Sequence, residues 1–530
     1  MRAIRSIAVL LGLSLLISCS GGADRAAENT LHRGLQVGPE TLDPHRSRST
    51  EAGEILRDLG EGLVGYSPAA ELVPAAAERW DVSEDGLIWT FHLRDGLRWS
   101  NGDALPAGHF VAGMRRLVDP ATAAFYADKL IDVENAAAIV AGELSPEELG
   151  VEAPDDRTLV VRLERPIPYL LKLLTHASTF PVHPPSLAEH GDSFARPGRF
   201  VSNGAYRLVD WVPAALISLE RNEYYWDNDT TAIDAVNYHV LVMSNAELSR
   251  YRAGDLHITA SVPPDAFQMV REEYGDQLHV APRLGVYFYG FNLARPPFAD
   301  NLALREALSM AVDREQLVAS VTGRGEQPAW SWVPPGVDNY TPPRLGFAAL
   351  SKDERERLAR LRYKEAGYGP DKPLQIELRY NTGDQHKKIA VAVQSMWRDV
   401  LGVEATLVNE EFGVLLSNIR AAEITQVFRS GWTGDYNDAH TFLDVMMGGN
   451  ASNLTGYASE EYDQLMRRAA AQVDPDRRRL YMEEAERVML SDHPLIPLYV
   501  YVNKHLIRPE VVGWEDNVLD YHYSRHLSLE

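Results

Sequence analysis

The chain of 530 residues holds one cysteine, Cys19, and that cysteine sits at the end of a stretch that reads as an export signal. Arg2 and Arg5 precede an uncharged run from Ile7 to Ile17, a small-residue pair follows, and a polar stretch begins at Ser20. A basic start, an apolar core and a small-residue cleavage site are the layout of a secretory signal. The run is shorter than the roughly 20 apolar residues that cross a bilayer as a helix, so it is not read as a permanent anchor. With Cys19 used or removed, the exported body has no thiol and can form no disulfide outside the reducing cytosol. Packing alone must hold it together. Because one core rarely grows past about 250 to 300 residues, a body of this length divides into two or three.

Charge narrows the partners. Lys and Arg number 52 against 75 Asp and Glu, a formal net charge of -23, which opposes binding to nucleic acid phosphates. The 45% share of hydrophobic residues, distributed along the chain, suits a soluble globular body and excludes a largely disordered or polytopic membrane protein.

Local patterns mix strands and helices. Ile88–Leu93 reads as a strand followed by the turn Arg94-Asp95-Gly96, and Leu159–Leu163 as another. Ile389, Val393, Met396 and Trp397 recur at helical spacing and stop before Gly402, after which Val403 to Val408 reads as a strand. A second helix is expected from Lys352 to Ala366, ending at Gly367. Strands alternating with helices of this length indicate an α/β fold. Searches for common chemistry find no H-E-x-x-H, no phosphate-binding Gly-rich loop, no G-x-S-x-G and no Cys/His metal set. Asp435, Asp438, His440 and Asp444 form the densest acid/His cluster, read as a solvated or helix-capping loop rather than as a metal or hydrolytic site.

A series of motifs, in order, resembles the periplasmic oligopeptide-binding proteins, the peptide-specific branch of extracellular solute-binding family 5 that serves ABC importers. They begin with Thr41-Leu42-Asp43-Pro44-His45, Leu59-Gly60-Glu61-Gly62-Leu63 and Ala77-Glu78-Arg79-Trp80. Trp89 to Arg94 and Trp99-Ser100-Asn101-Gly102 follow, then Asn203-Gly204-Ala205-Tyr206, Leu219 to Asn222 and Tyr225-Trp226. Arg305 to Leu308, Ala311 to Arg314 and Gly431-Trp432 with Asp435-Tyr436-Asn437 extend the match. Trp80, Trp89, Phe91 and Trp99 are read as core.

The resemblance implies a type II periplasmic binding protein-like α/β fold, with two lobes, a hinge and an extra subdomain. Residues 1–18 would be the signal peptide and 19–29 a tether. Domain I would combine 30–60, 185–285 and 504–530, domain II would be 61–184, and domain III, the opposite lobe, 286–503, with hinge crossovers near 285 and 503. Leu16-Ile17-Ser18-Cys19 resembles the lipobox of bacterial lipoproteins, so Cys19 would carry the lipid of a periplasmic protein held at a membrane. Ser20 after it looks like an outer-membrane destination.

The implied ligand is a short extended peptide, bound by backbone pairing and wet side-chain pockets, and delivered to an ABC permease by a monomeric receptor. No cofactor, metal or catalytic step is implied. By motif, Asp435 would meet the peptide ammonium and Ser430-Gly431-Trp432-Thr433 would pair with its backbone. Gly431 would allow close approach, and Trp432 would line a pocket or cover the peptide. Arg429, His386 and Arg420 would meet peptide C-termini at different lengths, and Tyr126 would face the cleft. Two departures stand out. Thr433 and Gly285 occupy positions of a family cysteine pair, and Arg48 replaces a family acid, which could favour an acidic ligand group. A murein-peptide or signalling-peptide receptor is the alternative within the class. An extracellular hydrolase using Asp435 or Asp438, or a purely structural lipoprotein, lies outside it.

Overall fold

A computed structural model describes residues 29–530, so the expected export signal and Cys19 lie outside the described residues. The first large sheet joins segments far apart in sequence. Thr30–Leu35 runs parallel to Ala235–Val240, which continues antiparallel into Leu216–Arg221 and then Tyr206–Val212. Thr30–Leu35 is mostly buried along its length, and Ile258 bridges its other edge at Arg33. Its core includes Leu56, Tyr206, Leu219 and Tyr238 together with Ile507 and Leu527 from the C-terminal end.

The second sheet is antiparallel, in the order Ala77–Val82, Ile88–Leu93, Thr158–Arg162 and Val151–Asp155. Ile88–Leu93 forms where its alternation places it. The other expected strand is shifted one residue toward the N-terminus, and Leu163 keeps only an isolated bridge to Val133. Trp89, Phe91 and Trp99 are buried, but Trp80 is only partly so, because Ala77–Val82 is an edge strand with a neighbour on one side.

The third sheet has six strands, ordered Gln327–Pro328, Leu495–Leu506, Leu278–Phe291, Val427–Thr433, Gln375–Asn381 and Glu404–Glu410. Against it lies the helix Asp384–Leu401, which buries Ile389, Val393 and Trp397 and stops where Gly402 adopts φ +74°. That left-handed conformation costs glycine little and other residues more. The helix expected from Lys352 forms as Lys352–Glu365, opened by reciprocal Ser351 and Glu354 capping bonds.

Two long strands link the bodies. Leu278–Phe291 and Leu495–Leu506 pair antiparallel, but their register breaks between Pro282 and Val286. On one side of the break, Leu278, Val280 and Leu506 pack with Tyr251 and Phe267. On the other, residues from Leu284 to Phe291 and Leu495 to Val500 enter the largest core. A paired ribbon interrupted between two cores is a natural place for rotation.

Several motif words meet in three dimensions away from that ribbon. The buried Glu61 carboxylate accepts from the Tyr225 hydroxyl at 2.5 Å, Trp226 Nε1 at 2.7 Å and Arg525 Nη1 at 3.1 Å. Asn203 bonds the Glu61 backbone in both directions. A Cβ on Gly204 would come within 2.6 Å of the Leu59 backbone, so glycine is required at that close approach. Asp43 is likewise committed, accepting two bonds from Arg116 at 2.6 and 2.8 Å. These words identify the fold by holding it together.

Candidate functional site

Strand Val427–Thr433 changes character halfway. Val427 and Phe428 are buried between two strands, pairing with Phe291 and Gly290 on one side and with Leu378 and Arg379 on the other. Pairing with Gln375–Asn381 ends there, while pairing with the Leu278–Phe291 strand continues to Gly285↔Thr433. From Arg429 to Thr433 one edge therefore has no strand partner among the described residues. An open edge of backbone donors and acceptors is a template for an added strand.

Arg429 reaches along this edge. Its guanidinium donates to Asn381 Oδ1 at 3.1 Å and to the Tyr501 hydroxyl at 3.3 Å, and lies 4.6 Å from the Tyr287 ring centre. It has no carboxylate partner among the described residues, and its buried Nε has no hydrogen bond. His386 begins the Asp384–Leu401 helix with Nδ1 3.1 Å from the Tyr287 hydroxyl. Burial, then the charge of Arg429, push the imidazole down to about 4, so it is neutral at pH 7.

Gly431 is needed for a reason that sequence alone does not supply. A side chain there would collide with the Tyr501 hydroxyl, the group that also receives Arg429. Gly285 and Thr433 are direct cross-strand partners. Ser430 and Thr433 line the same cavity of about 210 Å³ as Arg429 and Gly431. Trp432 follows the alternation of the strand away from it, packing against the large core while Nε1 donates to the Thr441 carbonyl at 2.8 Å.

Just past the strand, Asp435 projects with 55% of its side chain exposed, 3.8 Å from Lys129 Nζ. Its backbone N–H donates to Thr441 Oγ1 at 3.1 Å. Asp435, Lys129 and Tyr126 line a cavity of about 190 Å³ between the lobes. The Tyr126 hydroxyl donates to the Arg48 carbonyl at 3.2 Å, and its ring meets His176 edge-on at 4.6 Å. Burial, then the nearby Asp435 charge, raise the Tyr126 phenol above its ordinary value. The exposed Arg48 guanidinium lies 5.2 Å from the Phe125 ring centre. Arg420 stands exposed in the last turn of the helix Phe412–Ala421 and lines none of these cavities.

The rest of the acid cluster is engaged elsewhere. Asp438 is buried and accepts from Arg478 at 2.8 and 2.9 Å and from Lys172 at 3.2 Å. Burial opposes its ionisation, but Arg478 and Lys172 outweigh that and hold the carboxyl well below its ordinary value. Its Oδ1 also accepts the His440 N–H at 2.9 Å within the loop, but the helix His440–Leu443 has Ala439 at its N-cap and no side-chain capping bond. Asp438 is therefore a buried ion-pair residue rather than the solvated or capping one expected.

A different group, His505, Asp520 and His522, brings three ligand atoms within 4.8 Å of one another beside the cleft. There Asp520 Oδ1 lies 2.9 Å from His505 Nε2 and 3.1 Å from His522 Nε2. Burial opposes a charge on His505, yet Asp520 raises it to about 9, so a proton already balances this carboxylate at pH 7. The donor set could hold a metal only by displacing that proton.

Sequence reading did not single out Arg283, Lys129, Phe412 or Tyr501, all of which line the cleft cavities. Lys129 is one turn beyond Tyr126, and Arg283 is two residues before Gly285, so proximity to the chosen residues was the available signal. The three cavities around this junction present seven Lys and Arg against four Asp and Glu, the reverse of the chain's 52 against 75.

Comparison with known proteins places this geometry. The family model "Bacterial extracellular solute-binding proteins, family 5 Middle" matches residues 71–453. The periplasmic oligopeptide-binding protein OppA of Escherichia coli (strain K12) is 37% identical over 98% of this chain and 95% of its own. Among solved structures, the unliganded open form of the periplasmic murein tripeptide binding protein MppA is 35% identical, with TM-score 0.89 over 94% of this chain and 97% of its own. Haemophilus influenzae OppA in complex with RPPGFSPFR, also 35% identical, gives 0.72 over 94% of this chain and 99% of its own. At equal identity and equal coverage of this chain, the higher score is with the structure described as unliganded and open.

Proposed function

The chain belongs to the bacterial extracellular solute-binding proteins, family 5, and we propose that it captures short peptides in the periplasm and delivers them to an ABC importer. The observation that carries this reading is the unpaired edge from Arg429 to Thr433, set between the exposed carboxylate of Asp435 and the uncompensated guanidinium of Arg429. A peptide laid on that edge bonds through its backbone whatever its side chains, with ammonium toward Asp435 and carboxylate toward Arg429. His386 and Arg420 serve longer or shorter ligands through water. Tyr126 and Arg48 close on the peptide from the other side.

Domain I (30–60, 185–285, 504–530) and domain II (61–184) form one lobe in this reading, and domain III (286–503) forms the other. The ribbon near 285 and 503 is the hinge. Ligand shifts the balance to the closed form because only that form contacts it from both lobes. The protein works as a monomer, held at a membrane, the outer one favoured, by a lipid on Cys19 through the 19–29 tether. It performs no covalent step on the peptide.

A murein-peptide receptor is the second form of this reading, favoured by the likeness to the open murein tripeptide binding protein. The test is to purify the body truncated after Cys19, denature it and identify the released molecules by mass spectrometry. A mixture of two- to five-residue peptides establishes broad uptake, and a single wall-derived peptide establishes the second form. An empty protein that neither closes nor gains thermal stability with added peptides overturns both.

A further inference from the structure

Arg283 stands at the junction of the cleft. It lines the cavity of about 350 Å³ beside Arg33 and Glu54, the cavity of about 210 Å³ beside Arg429, and the cavity of about 190 Å³ beside Asp435. Its side chain is exposed and has no hydrogen bond or ion pair among the described residues. The strand pairing explains its position. Register between the two ribbon strands is interrupted from Pro282 to Val286, so Arg283 escapes the ladder that holds its neighbours, while Gly285 stays paired with Thr433.

The cavity shared by Arg283 and Arg429 is unusual for this chain. It holds two guanidiniums, the exposed ring of Phe412 and the polar edge of Ser430, Gly431 and Thr433, and no carboxylate. Elsewhere the acidic surplus supplies partners, as it does for Arg478 and Arg116. Two like charges facing one cavity repel, and an anion placed between them converts that repulsion into paired bonds.

We propose that Arg283 is a binding residue for a second ligand carboxylate, one carried by an interior residue of the peptide. This deepens the peptide-binding reading and rests on it. Arg283 shares one cavity with Asp435, the ammonium pole, and another with Arg429, the carboxylate pole, so it meets the ligand between its ends. The ligand class is an acidic short peptide. The interior carboxylate has two chemical sources: the side chain of an ordinary α-linked Asp or Glu, or the free α-carboxylate of a Glu joined through its γ-carboxyl.

Calorimetry on the mature body with Ala-Glu-Ala, Ala-Gln-Ala and Ala-γ-Glu-Ala tests this, for the native chain and for Arg283→Gln. The native protein prefers at least one carboxylate-bearing peptide to Ala-Gln-Ala by about tenfold or more, and Arg283→Gln removes that preference while leaving Ala-Gln-Ala within about twofold. The favoured linkage names the source. Equal native affinity for all three, or a variant that weakens all three alike, overturns the subsite and leaves peptide binding intact. Binding of none of the three, with no shift in melting, overturns the underlying reading as well.

Discussion

Two charged regions lie three positions apart in sequence and are opposite in physical character. Around Asp438, the carboxylate and Arg478 are almost fully buried, at 5% and 8% exposure, and every charge has a close partner. Around Asp435 and Arg429, one charge is exposed with a single contact at 3.8 Å and the other faces no carboxylate. The first region also ties two cores together, since Lys172 sits between Leu171 and Leu173 of the core under the second sheet and Asp438 beside Ala439 of the core of the third. Satisfied, desolvated charges fix an arrangement because breaking them strands a buried ion. Charges left short of partners cost the empty protein little when water reaches them, and are available to a ligand.

The largest effect should come from breaking the satisfied region. Asp438→Ala leaves Arg478 and Lys172 buried without their anion and should cost about 3 to 5 kcal/mol in urea unfolding. Its pH dependence has a definite sign. The Asp438 carboxyl is depressed in the native state, so its contribution is present above the ordinary value of 3.8 and is lost as pH falls below it. A variant as stable as the native chain would remove the contrast.

Asp435→Ala should do the reverse. Unfolding changes by no more than about 0.5 kcal/mol, as for an exposed side chain, whereas peptides with a free amino terminus lose about 2 to 5 kcal/mol of binding. N-acetylated peptides, lacking the ammonium, should bind both forms alike. Gly431→Ala sits between the two regions in kind. It forces the Tyr501 hydroxyl aside and should cost about 1 to 3 kcal/mol of stability by overpacking, together with affinity through the lost support of Arg429.

Smaller effects sharpen the picture. His386 is held at about 4 by burial and by Arg429. A ligand carboxylate on Arg429 offsets the second cause and raises the imidazole pKa, so the complex binds more proton than the free protein. Affinity for such ligands should then rise as pH falls through the bound-state value, by up to about tenfold per pKa unit gained. Imidazole chemical shifts with and without peptide check this, and an unmoved titration contradicts it. Arg48→Glu should leave unfolding within about 0.5 kcal/mol and alter only the preference between acidic and basic peptides.

Periodicity made much of the fold legible. Trp89, Phe91 and Leu93 alternate with Thr90 and His92, and Ile88–Leu93 is a strand. Ile389, Val393 and Trp397 recur at helical spacing before Gly402, and Asp384–Leu401 is a helix. The motif words that mark the family proved to be fold contacts, Glu61 with Tyr225 and Trp226 among them. At the cleft, sequence resemblance supplied Asp435 and Arg429, but nothing local separates Asp435 from Asp438. The partners that bury Asp438 are Arg478 and Lys172, 40 residues later and 266 earlier. Nor does local pattern reveal Arg283, whose isolation follows from a break in strand register.

The sequence by itself determined where many of the strands and helices form, that a chain with one cysteine forms no internal disulfide, and which family the chain resembles, because spacing, turn residues and composition act over a few positions. Only the tertiary structure decided which charges are spent and which are free. Solvation and partnership of a charge depend on every segment that packs around it, and here those segments lie tens to hundreds of residues apart in the chain.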